Sequence, residues 1–232
     1  MRETVSIQKT QQQILKHHGG DGDWARQRIT ETYEKRHGEE FWRCWERYVA
    51  VNHAPGDKLI DLGAGIGQFV ADCAKRYPDA EVIGIEAAPY MLEEALALPN
   101  NAKLLIDDLH NPQAPIQENS ASMVMANMVV HELTQPIKMF KAVYQWLKPG
   151  GRFCIIDIVR QPLQEYLAHR YPEVSPYADE TTVEDLEDAF EHFLEHNRYH
   201  PADIIAMLEL AGFKIVLEEK VGRFIRIVVE KP

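Results

Sequence analysis

Cysteine is scarce: Cys44, Cys73 and Cys154 are odd in number and far apart, which excludes a disulfide framework or a zinc ribbon and suits reduced packing thiols. Long apolar runs are missing too. The longest nearly apolar stretch, 122–130, is broken by Asn127 and falls well short of the roughly 20 residues that span a bilayer. The opening MRETVSIQKTQQQ has neither the apolar core nor the small-residue cleavage site of a secretory signal, so a cytoplasmic location is expected. Positive charge is in deficit, with 25 Lys and Arg against 36 Asp and Glu and a formal charge of −11. Such a surface opposes phosphate backbones and anionic lipid, and neither a nucleic-acid nor a membrane partner is expected.

What is present suits one globular domain with an appendage. Residues 1–22 are polar, with a Gln triplet and a His-His-Gly-Gly-Asp-Gly run, and are expected to form a mobile tail. From Trp24 the apolar residues recur at helical spacing through Arg28, Ile29 and Tyr33. After Gly38 they resume at Phe41, Trp42, Trp45, Tyr48 and Val49, which predicts two helices joined at that glycine. From Lys58 onward short apolar runs alternate with helical stretches: 58–62, helix 68–77, 81–85, helix 90–98, then strands 102–107 and 122–127. A helix over 134–147 ends at Lys148-Pro149-Gly150-Gly151, and 152–159 is the next strand. Strands alternating with helices predict an α/β fold with a mostly parallel sheet.

Residues 161–200 hold ten Asp and Glu against two Arg, so this insertion carries most of the net charge. Its main helix is expected to start at Thr181 or Thr182, with Thr181 and Glu184 as a capping box and Leu186, Ala189, Phe190, Phe193 and Leu194 on one face. Pro201 opens a further helix ending near Gly212, and 213–220 with 223–230 form a hairpin around Val221-Gly222. His192, His196 and His200 are spaced by four, but Pro201 disfavours helix at His200, and His131-Glu132 is followed by no second histidine at zinc spacing, so no metal site is expected.

The most informative stretch is Asp61-Leu62-Gly63-Ala64-Gly65-Ile66-Gly67, a buried strand entering a glycine turn and then a helix N-terminus. Glu86 follows Gly67 by 19 residues, past a second strand, where a carboxylate can accept both ribose hydroxyls. Gln68 occupies the place of the third glycine of a dinucleotide fingerprint, which tilts the pattern away from NAD.

These residues resemble the first motif of the class I S-adenosylmethionine-dependent methyltransferases, and the resemblance spans about residues 57–232. It implies a Rossmann-like, seven-stranded, mostly parallel sheet with a C-terminal antiparallel hairpin, a helical N-terminal lid over 23–56 and a substrate cap at 161–200. The cofactor implied is S-adenosylmethionine, with S-adenosylhomocysteine as product. The first motif, with Asp61, Gly63, Ala64, Gly65 and Gly67, would hold the methionine end. Glu86 would take the ribose, and Ala87 or Met91 would lie against the adenine. In the stretch resembling the third motif, Asp107 and Asp108 are both candidates for the adenine amino group, Asp108 being preferred, and Leu109 would pack on the ring. Met125 to Leu133 is similar to the fourth motif, and places Asn127 and Met128 between cofactor and acceptor.

The same resemblance assigns Tyr33 and Arg36 to a lid over the methionine end, although Tyr33 also reads as a core aromatic. His131 is a candidate base or substrate hydrogen-bonding group, with local pairing at a helix start as the competing reading. Tyr166, His169, Tyr177, Arg198, Tyr199 and His200 are candidates for the substrate chamber, Tyr199 and His200 foremost. The expected activity is methyl transfer by in-line displacement to a nucleophilic atom of a small molecule. The alternatives are a non-catalytic module that binds the same cofactor and a non-methyl transfer that uses it.

Overall fold

Leu59 and Ile60 are neighbours in sequence and pack on opposite sides of one sheet, as the two-residue period of a strand demands. The computed structural model describes residues 7–170, 182–196, 198–221 and 223–232. Tyr177 and Thr181 lie outside the described residues, as do the side chains of His169 and His196. Parallel strands β1 (Lys58–Leu62), β2 (Glu81–Glu86), β4 (Ala121–Asn127) and β5 (Leu147–Ile158) fill the centre, with β3 (Ala102–Ile106) at one edge. Burial on both faces makes β1, β2 and β4 read as continuous apolar runs, whereas edge strand β3 keeps Lys103 and Ile106 exposed. The order is β3-β2-β1-β4-β5-β7-β6, with β7 (Phe224–Glu230) antiparallel to both β5 and β6 (Lys214–Val221). This is the expected seven-stranded sheet with its terminal hairpin.

One core lies between the sheet and helices α6 (Ile137–Trp146) and α9 (Pro201–Leu210), around Ile60, Phe140, Phe153 and Leu208. The other joins Leu59 and Met123 to α3 (Glu39–Tyr48) and α4 (Gln68–Arg76) through Trp45, Phe69, Val70 and Cys73. Buried Trp45 satisfies its indole by donating to the Tyr77 hydroxyl at 2.9 Å. Cys73 and Cys154 are buried and Cys44 half-buried, all three free, in keeping with packing thiols. No helix among the described residues is long and apolar enough to cross a membrane.

Several elements differ from the sequence expectation. Residues 7–17, placed in a mobile tail, form helix α1 (Ile7–His17), followed by α2 (Gly22–Arg36), which Asp21 caps by accepting from Asp23 N and Trp24 N. The helix expected over 90–98 is the single turn α5 (Pro89–Glu93). Helix α6 starts three residues late, behind Pro136, and β5 starts at Leu147, so the Lys148–Gly151 turn lies within the strand. In the insertion, α7 (Leu163–Arg170) and α8 (Val183–His196) bury Tyr166, Leu167, Ala189 and Phe193 against one another. Phe190 and Leu194 of the expected apolar face are exposed instead. The cap of α8 is Thr182 with Asp185, each side chain accepting the other's backbone N–H at 3.1 Å.

Gly84 in β2 is the tightest point behind the glycine turn. A Cβ there would sit 2.7 Å from Ala64 Cβ, 2.4 Å from Leu104 and 2.8 Å from Val70. Gly84→Ala is therefore expected to destabilise the fold by about 1–3 kcal/mol through overpacking. A urea midpoint unchanged from the parent protein would refute this close approach.

Candidate functional site

The carboxyl ends of β1, β2 and β4 and the loop after β3 open onto one cavity of about 390 Å³. Asp61 comes from β1, Glu86 from β2, Asp108 from beyond β3, and Asn127 from the end of β4. Such crevices at strand ends are where open parallel sheets bind ligands. The turn after β1 stays against the sheet because Gly63 N and Ala64 N both donate to Ile85 O, at 2.8 and 3.0 Å. Gly63 has φ +70°, and a Cβ there would meet Val129 Cγ2 at 2.4 Å, so this turn and the loop after β4 can touch only through glycine.

Burial raises the pKa of Asp61 well above the usual carboxylate range, and the neighbouring Glu86 raises it further, while Arg36 offsets part of this. Burial likewise raises that of Glu86, against the pull of its backbone hydrogen bonds. Glu86 accepts from Gly65 N and Ala88 N, each at 2.8 Å, and so ties the first turn to the second. Asp108 behaves oppositely. Burial alone would raise its pKa, but hydrogen bonds from His110 and Thr10 bring it below the ordinary value. Its carboxylate accepts from Thr10 Oγ1 and from His110 N, both at 2.9 Å.

The far end of the cavity is set by the loop after β4. Met128 takes a left-handed conformation, φ 61°, which costs a residue with a Cβ about 1–2 kcal/mol. Its N–H donates to Ile156 O at 2.8 Å, and Asp157 on β5 takes the next three amides. His131 then lies with Nδ1 2.6 Å from Asp157 and Nε2 3.1 Å from Glu132. Burial by itself would lower the pKa of this ring, but the two carboxylates outweigh it and push it up to about 10. Both ring nitrogens of His131 thus face carboxylates that favour its protonated form, the local pairing that was the competing reading of this residue.

Helices α1 and α2 roof the cavity. Thr10, Gln13, Ile14, His17 and His18 line it from α1 and the turn that follows, and Arg28, Ile29, Thr32, Tyr33 and Arg36 line it from α2. The contacts that seat α1 are largely polar: Thr10 to Asp108, Gln11 Nε2 to Ala87 O at 2.9 Å, and His17 to Glu132. Tyr33 faces the cavity while its hydroxyl donates to Asp72 at 2.7 Å, and its ring stacks on His37 at 4.3 Å. Burial lowers the His37 pKa to about 4, so this ring is neutral. It donates from Nδ1 to Tyr33 O and accepts from Asn127 Nδ2 at 3.3 Å. Among the described residues Asn127 Oδ1 is buried without a hydrogen-bond partner.

The cavity therefore brings together most of the residues singled out in the sequence: Tyr33, Asp61, Gly63, Ala64, Gly65, Glu86, Ala87, Met91, Asp108, Leu109, Asn127, Met128 and His131. Several do not line it. Gly67 caps α4 in a left-handed conformation, φ 87°. Asp107 clamps its own loop, accepting from Gln113 N at 2.7 Å and Ala114 N at 2.6 Å, which resolves the choice of cavity-facing carboxylate in favour of Asp108. Tyr199 donates its hydroxyl to Leu133 O at 2.6 Å, and exposed His200 is the N-cap of α9. Nor do Tyr166 and Arg198 reach the cavity: Tyr166 pairs with His192 inside the insertion, and Arg198 donates to Glu195 O at 2.9 Å. Sequence reasoning missed Thr10, His17, His37, Glu132 and Asp157. Only for Glu132, beside His131, did the sequence carry a signal.

The family described as a methyltransferase domain matches residues 60–155. The chain is 25% identical over 185 residues to phosphoethanolamine N-methyltransferase 1 of Arabidopsis thaliana, covering 76% of this chain and 33% of that protein. Thus the chain spans about a third of that plant relative's length. It is 26% identical over 187 residues to the ubiquinone/menaquinone biosynthesis C-methyltransferase of Pasteurella multocida, covering 75% and 69% of the two chains. Among solved structures, the complex of the Haloferax volcanii Trm112 methyltransferase activator with a methyltransferase matches with a TM-score of 0.65 at 15% identity, over 91% of this chain and 97% of that one. At this identity the likeness shows the fold alone.

A buried acid whose pKa is raised by folding weakens the folded state as pH rises through that raised value and costs nothing below its unfolded pKa. Asp61→Asn is therefore expected to raise Tm of the ligand-free protein at neutral pH, each kcal/mol of relief giving about 2–4 °C. The gain should vanish near pH 4, about the unfolded aspartate value. Scanning calorimetry at both pH values checks this, and a neutral-pH Tm at or below that of the parent protein would contradict it.

Proposed function

Because the chain belongs to the class I S-adenosylmethionine-dependent methyltransferase superfamily, we propose that it methylates a nucleophilic atom of a small molecule by in-line displacement from S-adenosylmethionine. The observation that carries this reading is the pair of buried carboxylates, Asp61 and Glu86, lining one cavity with Asp108 as a third. Such a cavity favours a ligand with positive charge and hydroxyl donors, and disfavours the pyrophosphate of a dinucleotide.

When bound, the cofactor supplies an electrophilic methyl group on a sulfonium. Asp61 would face its ammonium, Glu86 would accept from the ribose hydroxyls, and Asp108 would accept from the adenine amino group once Thr10 yields that oxygen. Ala87, Met91 and Leu109 would form the apolar walls beside the base. Asn127 Oδ1, buried without a partner among the described residues, is suited to a donor on the ligand. Because a sulfonium methyl is already activated, the remaining work of this chain is alignment and exclusion of water, for which α1 and α2 form the roof. His131 holds its proton between Asp157 and Glu132, so the acceptor has to present its lone pair without His131 acting as base.

Calorimetric titration with S-adenosylmethionine and S-adenosylhomocysteine is expected to give micromolar binding, with none for NAD. Glu86→Ala should weaken binding by about 10- to 100-fold, the worth of hydrogen bonds to a charged group. Glu86→Gln should preserve the fold and still lose most of that affinity. Parent protein that binds neither ligand, or a Glu86→Gln affinity equal to the parent's, would overturn the reading.

A further inference from the structure

Asp157 is completely buried one residue before the end of β5, is not among the residues that line the cavity described above, and carries no motif in the sequence. Its carboxylate nevertheless organises the acceptor end of the site. Oδ2 accepts from Val129 N at 3.1 Å, Val130 N at 2.6 Å and His131 N at 3.3 Å, while Oδ1 takes His131 Nδ1 at 2.6 Å and Ile158 N at 2.8 Å. Three consecutive amides turned onto one carboxylate oxygen form a nest.

Two further facts extend its reach. Immediately before the nest, Met128 is held in its left-handed conformation between Ile156 O and the Asp157 cluster, and Val129 fills the space that Gly63 leaves open. Beyond the nest, His131 Nε2 meets Glu132 Oε1 at 3.1 Å, Glu132 Oε2 meets His17 Nδ1, and His17 Nε2 lies 3.5 Å from Glu195 on α8. The groups facing this chain include Lys16, paired with Glu191 and Glu195, and His18, against the Tyr90 hydroxyl. A run of close carboxylate–imidazole contacts thus crosses from the middle of the sheet to the helix that roofs the cavity.

We propose that Asp157 is a positioning residue for the site: it sets the turn from Asn127 to Glu132 against the cavity, and through His131 and Glu132 it latches His17, and with it helix α1, in the closed position. The value of the turn to methyl transfer rests on the function proposed above. The latch itself does not, and it is tested without any cofactor.

Asp157→Asn keeps the size of the side chain and removes its charge. Glu132→Gln leaves the Asp157 nest intact and breaks only the outer link. In the full-length chain, hydrogen exchange of the amides of residues 7–17 is expected to rise about tenfold or more in both variants, while the central strands exchange as in the parent protein. Carbon-13 labelled histidine adds a signature that loose packing would not produce. The His131 ring of the parent keeps imidazolium shifts from about pH 5 to about pH 9, and in Asp157→Asn it titrates in the neutral range.

Unchanged exchange over 7–17 in a folded Glu132→Gln variant, or an unaltered His131 titration in Asp157→Asn, would overturn the proposal. If Asp157→Asn does not fold, Glu132→Gln alone decides the latch. A parent protein that shows the latch but binds no S-adenosylmethionine defeats the functional reading and leaves the Asp157 assignment standing.

Discussion

A carboxylate loses its hydration on burial, and the carboxyl ends of β1 and β2 hold two, Asp61 and Glu86, nearly inaccessible to solvent, with Glu86 adding its charge to the burial that raises the Asp61 pKa. The ligand-free protein carries this as a standing cost, only partly relieved by Arg36 and by the amides of Gly65 and Ala88. Much of the site follows from it. The turn after β1 has glycine at Gly63 because the backbone must lie against Val129, and Glu86 is held by that same turn. A ligand that is cationic and rich in hydroxyls, as the proposed function implies, would offset this cost.

The sheet was largely legible in the sequence because its information is local. Leu59–Leu62, Val82–Ile85 and Ser122–Ala126 are buried on both faces, and runs of this kind between glycine turns have few other uses. The glycine turn and Glu86 were legible for the same reason, since the spacing along the chain fixes their place at neighbouring strand ends. Helix α1 was not. Composition weighs apolar surface, and residues 7–17 offer little of it, but Thr10, Gln11 and His17 dock through hydrogen bonds whose partners lie far along the chain. The same holds for Asp157, whose partners sit on the loop after the neighbouring strand.

Tyr199 and His200 stood out because they precede a proline-initiated helix beside an insertion, and in the structure they lie off the cavity, His200 at the N-cap of that helix and Tyr199 bonded to Leu133 O. For Asp107 and Asp108, adjacent residues of one type, only tertiary structure separates the carboxylate that folds its own loop from the one that faces the cavity. His131 was found by position, but its two carboxylate neighbours were not both legible in the sequence, because Asp157 lies on β5, far along the chain.

The roof formed by α1 has a kinetic side. Thr10 on this helix is joined to Asp108 on the cavity wall, so a ligand that takes Asp108 as its acceptor has first to displace that contact. Where exchange requires the helix to lift and the lifted state is a small fraction of the population, the observed association rate is the intrinsic rate scaled by that fraction, and the residence time of a bound ligand follows the same opening. Under the function proposed above, turnover would then answer to the helix at residues 7–17 as much as to the chemistry beneath it.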